Sequence, residues 1–328
     1  MTARIIKAGP LTTVQDRGRA GYREFGVSVG GAADPFSARV ANTLVGNGED
    51  AAVIEITMGG LRLTLADERA VAWCGGQFRV TIADVVVPAG RACRCLPGAE
   101  VRADLEGAGC RAWLAISGGI DAAFILGSRA TDLRGGFGGL DGRALRDGDA
   151  LPLCEINDAA GRLWARLPVD RAASFGAPPE WAQPFSRPEI LRVAVGSDRD
   201  RFSAPAWETF LATEFSVSME ADRMGARLDG PVLERIDDGG DLVSEAVVPG
   251  TVQIPPNGKP ILLLADAQTI GGYPKLAHAI AVDLPRAAQL RPNDRIRFAE
   301  ASLGEAHRLW IEREKSWRRF QLGLSLHS

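Results

Sequence analysis

The chain has 328 residues, of which 46% are hydrophobic and 24% charged, and its formal net charge is −3. These values are ordinary for a globular protein and leave room for two domains. They exclude the strongly basic footprint that nucleic acid needs, and no run approaches the roughly 18 apolar residues of a membrane span. Neither nucleic acid nor a membrane is therefore an expected partner.

The first ten residues, Met1 to Pro10, lack the apolar core and small-residue cleavage site of a signal peptide. Asp34-Pro35 then reads as an N-cap followed by proline at the first helical position. It opens a helix whose Phe36, Val40, Ala41 and Leu44 share one face, and Gly46 closes it. Short strands follow: Ala70–Cys74, Phe78–Ile82, Val85–Val87 and Trp113–Ile116. Gly75-Gly76, Pro88 to Gly90, Pro97-Gly98 and Gly118-Gly119 separate them as turns. Such closely spaced short strands predict a mainly β protein, a barrel or a sandwich. The cysteines Cys74, Cys93, Cys95, Cys110 and Cys154 are odd in number and mostly lie in apolar stretches. They read as reduced and buried, which predicts a cytoplasmic location. Cys93 and Cys95 share one side of a strand, but His278, His307 and His327 lie far along the chain, so no metal is expected.

The pattern repeats loosely. Leu145-Arg-Asp-Gly-Asp-Ala-Leu151 and Leu290-Arg-Pro-Asn-Asp-Arg-Ile296 share Leu-Arg-x-x-Asp-x-aliphatic, each after a strand and a Gly-Gly pair. We expect two duplicated halves, 1–156 and 189–300. Between them, 157–188 is rich in Pro, Ala and Arg and reads as a linker or covering arm. The tail, 301–328, places Leu309, Trp310, Trp317 and Phe320 near helical spacing and predicts an amphipathic helix packed on the body.

Three segments are denser in polar and glycine residues than a structural loop needs. The first runs from Gly9 to Asp34 and sets Gln15, Asp16 and Arg17 side by side; it also suits a turn held by an Asp side chain. The second, Ser218 to Gly230, carries Arg223 and Arg227. Their guanidinium forks suit an anionic group, or alternatively pairing with Asp222 and Asp229. The third is the richest. A strand from Ile261 to Ala265 delivers Asp266, Gln268 and Thr269, Gly271-Gly272 allows close backbone approach, and Tyr273, Pro274 and Lys275 complete the loop. A carboxylate, an amide, a hydroxyl, a phenol and an ammonium thus share one short segment. The common nucleotide motif GxxxxGK[ST] is missing. Gly135-Gly-Phe-Gly-Gly139 is a weak phosphate signal and reads as a flexible surface loop.

These segments resemble the biotin-dependent carboxyltransferase family, also called allophanate hydrolase subunit 2-like. The resemblance is carried by Gly9-Pro-Leu-Thr-Thr-Val-Gln-Asp-x-Gly-Arg-x-Gly-Tyr22, Gly31-Ala-x-Asp34, Ala41-Asn-x-Leu-Val-Gly-Asn47 and Glu55-Ile-Thr-Met-Gly-Gly60. It continues in Gly118-Gly-Ile-Asp121, Leu126-Gly-Ser-Arg-x-Thr131, Asp222-Arg-Met-Gly-x-Arg-Leu228, Gly250 to Gly258 and Asp266 to Lys275. Family members include the C component of ATP-dependent 5-oxoprolinase and the carboxyltransferase region of urea carboxylase. The resemblance implies two cyclophilin-like β-barrel subdomains with a few helices. It also implies a subunit 1-like partner (the B component) and, in a 5-oxoprolinase, a LamB/YcsF-like A component. ATP would serve the complex, held on this chain or on another component. Biotin would enter only on a separate carrier, since no Met-Lys-Met site is present.

Both family activities act on a small amide. We expect a subunit that helps open 5-oxoproline to glutamate, or alternatively one that moves a carboxyl group from carboxybiotin to urea or a related amide. A non-enzymatic regulator of the subunit 1-like partner is the third alternative. From residue chemistry, Lys275 with the backbone around Gly271 and Gly272 would stabilise developing negative charge. Asp266 would orient or accept a proton. Gln268, Thr269 and Tyr273 would align the substrate, Arg223 would hold a carboxylate, and Gln15, Asp16 and Arg17 would close the site.

Overall fold

A computed structural model describes residues 1–169, 171–184, 189–236 and 242–326. The chain divides into two compact units. The first comprises 1–20, 30–184 and the chain from Arg318 onward; the second comprises 21–29 and 185–317.

In the first unit, β1 (Thr2–Lys7), β2 (Leu11–Gln15), β3 (Val53–Thr57), β4 (Leu61–Leu65), β5 (Arg69–Gly75) and β6 (Phe78–Ile82) come first. They are followed by β7 (Val85–Val87), β8 (Ala92–Cys95), β9 (Glu100–Leu105), β10 (Arg111–Ile116) and β11 (Ala150–Pro152). A six-stranded sheet runs β11-β1-β4-β9-β6-β7 and a five-stranded sheet β2-β3-β10-β5-β8. In β4 and β6 buried and accessible residues alternate, Leu61, Leu63 and Leu65 inward and Arg62 outward, as one buried face requires. Ile5, Leu63, Val80 and Val101 from the larger sheet meet Ile54, Val71, Trp73 and Leu114 from the smaller in one core. β5 and β10 are buried along their whole length because helix α1 (Pro35–Leu44) covers their other face. The predicted cap is present: Asp34 Oδ1 accepts from the N–H of Phe36 and of Ser37, and Pro35 opens the helix.

Within residues 157–184 lie α2 (Asp158–Ala165) and α3 (Pro179–Ala182). The backbone N–H groups of Ala173 and Ala177 donate to the carbonyls of Ala92 and Gly90, so this stretch is laid along the rim of β8. Trp181 meets Phe36 edge-on at 5.3 Å and Phe320 at 5.7 Å. Gly138 and Gly139, expected in a flexible loop, are buried instead, and the 132–137 turn beside them closes on its own backbone hydrogen bonds.

The second unit contains β12 (Glu189–Val195), β13 (Phe215–Val217), β14 (Gly225–Asp229), β15 (Glu245–Ala246) and β16 (Thr251–Gln253). It continues with β17 (Ile261–Leu263), β18 (Ile270–Gly271), β19 (Lys275–Ala279) and β20 (Arg295–Glu300). Seven of these close as a barrel in the order β12-β19-β16-β17-β14-β13-β20, with β12 and β20 parallel and the other neighbours antiparallel. β15 and β18 form a separate two-stranded ribbon. Leu191, Val193, Phe215, Leu228, Val252, Leu262, Leu276 and Ile296 fill the core. α4 (Ala204–Ala212) lays Phe210 on Phe298 at 4.4 Å, nearly parallel. A short helix, α5 (Leu284–Ala287), precedes β20.

The protein is mainly β, as expected. The barrel of the second unit closes, while the first distributes its strands between two facing sheets. The tail forms helix α6 (Leu303–Leu326). Trp317 is fully buried and Phe320 half-buried on it, but Trp310 departs from the predicted stripe and is 48% exposed. Among the described residues no helix is long and apolar enough to cross a membrane. Cys74, Cys93, Cys95 and Cys110 are buried, and burial pushes the Cys95 thiol up to about 12.

Candidate active site

The start of β19 is irregular. Thr251 lies opposite His278 and Val252 opposite Ala277, but Gln253 lies opposite Lys275, so β19 carries one extra residue there. Such a bulge re-aims a side chain out of the regular alternation. Lys275 is turned toward the end of β12, where Gly196, Ser197 and Asp198 form a turn. The Gly196 N–H donates to the Leu276 carbonyl and the Asp198 N–H to that of Lys275. In return the Lys275 N–H donates to Asp198 Oδ2 at 2.9 Å. The turn lies so close that a Cβ on Gly196 would stand 2.1 Å from the Lys275 carbonyl oxygen. Glycine is required there by proximity rather than by backbone angle.

The Lys275 ammonium is nearly enclosed, 8% exposed, between two carboxylates: Asp198 Oδ2 at 3.1 Å and Glu245 Oε2 at 2.7 Å. Burial alone would lower its pKa, but the hydrogen bonds and charges of Glu245 and Asp198 outweigh that and hold it above the ordinary 10.5. For Asp198 burial acts upward. The Lys275 N–H and ammonium outweigh it and hold the carboxyl below its ordinary 3.8. The two shifts agree: at neutral pH this is an ammonium–carboxylate pair, and Lys275 is a fixed positive charge rather than a base. His278 touches Thr251 Oγ1 through Nδ1 at 3.2 Å. Burial first, and the Lys275 charge second, hold it below 6.5, so its ring is neutral.

Lys275 borders a cavity of about 300 Å³. Asp198, Arg201, Glu245, Gly271, Gly272 and Tyr273 supply the rest of its polar lining, and Leu242 and Val243 an apolar side. Glu245 reaches it from β15, opposite Gly271 of β18. A Cβ on Gly271 would lie 2.7 Å from Gln253 Nε2, and that amide donates to the Tyr273 carbonyl. Glycine at 271 therefore lets Gln253 brace the loop that carries Tyr273, whose side of the cavity stays accessible.

Of the residues singled out from the sequence, Gly271, Gly272, Tyr273 and Lys275 meet at this cavity. Asp266 and Arg223 meet each other instead: Nε to Oδ2 is 2.7 Å and Nη2 to Oδ1 is 3.0 Å. The carboxylate expected on Arg223 is thus supplied by the protein, and Asp266 accepts a guanidinium fork. Thr269 is buried; its carbonyl accepts from Val247 N–H and from the Arg23 guanidinium. Arg23 also donates to the Val247 carbonyl, and Ser28 Oγ donates to that of Ala267. The 21–29 segment thereby pins the 266–269 loop within the second unit. Gln268 approaches Gln253 Oε1 at 3.5 Å. In the first unit Gln15 is fully buried and donates to Thr13 Oγ1 and the Thr131 carbonyl. The Asp16 carboxylate accepts from Gly18 N–H, Ser128 Oγ and Arg129 N–H, and Arg17 is exposed. Gln15 and Asp16 thus organise the first unit's own loops.

Asp198 and Glu245 were not singled out from the sequence. Asp198 follows a strand end, the same signal that drew attention to Asp266, whereas Glu245 lies upstream of the third polar segment.

The family model for the carboxyltransferase domain, subdomain A and B, matches residues 25–300. The chain is 34% identical over 325 residues to the C component of 5-oxoprolinase from Escherichia coli, covering 99% of each. It is 33% identical to the corresponding 5-oxoprolinase C component of Haemophilus influenzae over 93% of each. Urea amidolyase of Saccharomyces cerevisiae is 29% identical, covering 91% of this chain but 16% of that protein. Among solved structures, the K. lactis urea carboxylase superposes with a TM-score of 0.87 at 29% identity, covering 96% of this chain and 29% of that one. The K. lactis urea amidolyase gives the same TM-score, and this chain spans a fifth of its length. By its matched residues, its end-to-end likeness to two bacterial proteins and its shared fold, the chain belongs to the carboxyltransferase domain family, subdomain A and B.

Proposed function

We propose that this chain is the subunit of an ATP-dependent 5-oxoprolinase-type complex that opens the lactam of 5-oxoproline to glutamate. The observation that carries this is the likeness to the 5-oxoprolinase C component over 99% of both chains. The chemistry of the cavity suits it. Opening a lactam breaks its C–N bond as water adds to the carbonyl carbon, and negative charge grows on the carbonyl oxygen. A held ammonium stabilises that charge without reorganising. Lys275 takes this role with the N–H that faces neither carboxylate, Tyr273 aligns the ring, and Gly271 and Gly272 let the substrate approach the backbone. Arg223 and Asp266 act as positioning residues, holding the 266–269 loop. Gln268 and Thr269 belong to the same loop, and Gln15 and Asp16 support the first unit, where Arg17 is exposed.

ATP does not fit this cavity. Its ammonium already faces two carboxylates, which would repel a triphosphate. In this reading ATP binds another component, either the subunit 1-like protein (the B component) or the LamB/YcsF-like A component. The second reading is carboxyl transfer from carboxybiotin, brought on a separate carrier, to urea or a related amide. It is favoured by the fold shared with urea carboxylase.

The test is ATP-dependent release of glutamate from 5-oxoproline by the co-expressed components, with and without this chain. We expect activity only when the chain is present. Its absence with well-folded partners overturns the lactam assignment in favour of carboxyl transfer.

A further inference from the structure

The two carboxylates on Lys275 are held very differently. Asp198 is 16% exposed and tied to Lys275 through side chain and backbone alike, with Gly196 pressing its turn onto the β19 bulge. It cannot leave without unfolding the turn. Glu245 is 62% exposed, stands on a two-residue strand, and among the described residues has Lys275 as its side chain's single polar partner. An exposed carboxylate held by one contact exchanges readily with solvent or with a competing anion.

We propose that Glu245 occupies the ligand's own place on Lys275, and that a small monoanionic ligand displaces it through a carboxylate. The inference rests on the cavity being the substrate site. Like-for-like exchange decides the ligand class. Replacing Glu245 by one carboxylate leaves the charge around Lys275 unchanged. A phosphate dianion would add repulsion against Asp198, and a neutral amide gains nothing from moving Glu245 aside. Glu245 is then a specificity-determining residue: it holds the ammonium in place between turnovers and makes every anion compete for it. The distance of 2.7 Å to Nζ is that of a charge-assisted hydrogen bond, the geometry a substrate carboxylate would reproduce.

The experiment is calorimetric titration of the assembled complex, wild-type, Glu245→Gln and Lys275→Met. Three probes are used: 5-oxoproline, the acyclic amide carboxylate N-acetylglycine, and the neutral lactam 2-pyrrolidinone. Glu245→Gln should bind the anionic probes about fivefold more tightly, the scale of one exposed ion pair no longer competing. Its affinity for 2-pyrrolidinone should be unchanged, and Lys275→Met should lose the anionic preference. Equal or weaker anion binding by a folded Glu245→Gln complex overturns the proposal. So does an equal gain for the neutral lactam, or no anion binding by any variant. If N-acetylglycine gains while 5-oxoproline does not bind, the role of Glu245 stands and the 5-oxoproline assignment falls.

Discussion

Arg223 and Asp266 form a two-armed ion pair that also shares backbone, because the Asp266 N–H donates to the Arg223 carbonyl. Arg223 is 6% exposed and Asp266 24%. Asp222 shapes the approach by accepting from the N–H groups of Met224 and Gly225. Two residues that each looked suited to a substrate group thus fix the loop between β17 and β18.

Asp266→Ala should therefore cost about 2 kcal/mol of stability, because it removes the carboxylate facing a buried guanidinium. Arg223→Met should cost a similar amount, and the double variant clearly less than the sum. Arg223→Lys should recover little, since a point charge cannot span both carboxylate oxygens. Urea denaturation of the four variants measures this. If Asp266 acts by position, Arg223→Met should lose as much activity as Asp266→Ala. A folded Arg223→Met with full activity beside an inactive Asp266→Ala would instead make Asp266 a direct participant.

Lys275→Met should lower the activity of the complex by about 100-fold, the typical effect of removing one preorganised charge donor. It should also change the pH dependence of stability. The folded pKa of Asp198 lies below its unfolded value, so its pairing stabilises the protein above the unfolded value near 3.8 and is lost as pH falls through the folded one. The folded pKa of Lys275 lies above its unfolded value, so its contribution is complete below 10.5 and is lost as pH rises through the folded one. The variant should lack the alkaline limb and keep only a weakened acid one, because the backbone N–H of residue 275 still donates to Asp198. In NMR titration His278 should titrate below 6.5 in the wild type and move upward in Lys275→Met, because one of its two depressing influences is gone. An unmoved His278 would contradict the placement of Lys275.

Much of the architecture is legible in local sequence, because it rests on local rules. Asp34-Pro35 opens α1 as a cap and a first-turn proline do anywhere, and the alternation in Leu61–Leu65 needs only one buried face. The glycine-flanked 266–275 segment points to the cavity for a related reason, since its residues are neighbours in the chain. What is not legible depends on pairings across long separations. Lys275 finds Asp198 some 77 positions away and Arg223 finds Asp266 across 43. No local pattern distinguishes a carboxylate that will meet a lysine from one left in solvent. The bulge that aims Lys275 arises from the register between β16 and β19 and has no signature of its own. Trp310 shows the converse limit: helical spacing places it near a stripe, but only the packed surface decides that Trp317 is buried and Trp310 is not.

The two close glycine contacts should separate by what a new methyl would strike. At Gly196 it would lie 2.1 Å from the Lys275 carbonyl oxygen and 2.6 Å from the Leu276 carbonyl carbon, both main chain of a core strand. Gly196→Ala must push the turn off β19 and should cost about 3 kcal/mol. At Gly271 the nearest atom is Nε2 of Gln253, the far end of a side chain that can swing away at the loss of its bond to the Tyr273 carbonyl. Gly271→Ala should cost about 1 kcal/mol. Both values come from denaturant midpoints, and a reversed order would show that the turn, not the amide, is the yielding element.

The turns Arg146–Asp149 and Arg291–Asp294 are built alike, which gives the repeated Leu-Arg-x-x-Asp a physical content. In each, the arginine N–H donates to the aspartate carboxylate and the aspartate N–H returns to the arginine carbonyl. Each then exchanges two backbone hydrogen bonds with a strand: Gly148 and Asp149 with Ile5, Asn293 and Asp294 with Val217. Asp149 also receives both arms of Arg143, at 2.7 and 2.9 Å, and that guanidinium holds its carboxyl below the ordinary range. Asp294 has Arg291 Nε at 3.6 Å. Asp149→Ala should therefore destabilise by about 2 kcal/mol and Asp294→Ala by about 1 kcal/mol. Because the folded pKa of Asp149 is depressed, its extra contribution exists above the unfolded value near 3.8 and is lost as pH falls through the folded one. The gap between the two variants should narrow in acid and persist at neutral pH. An equal cost at pH 7 would mean that the shared backbone turn, and not the Arg143 fork, supplies the stability of the first.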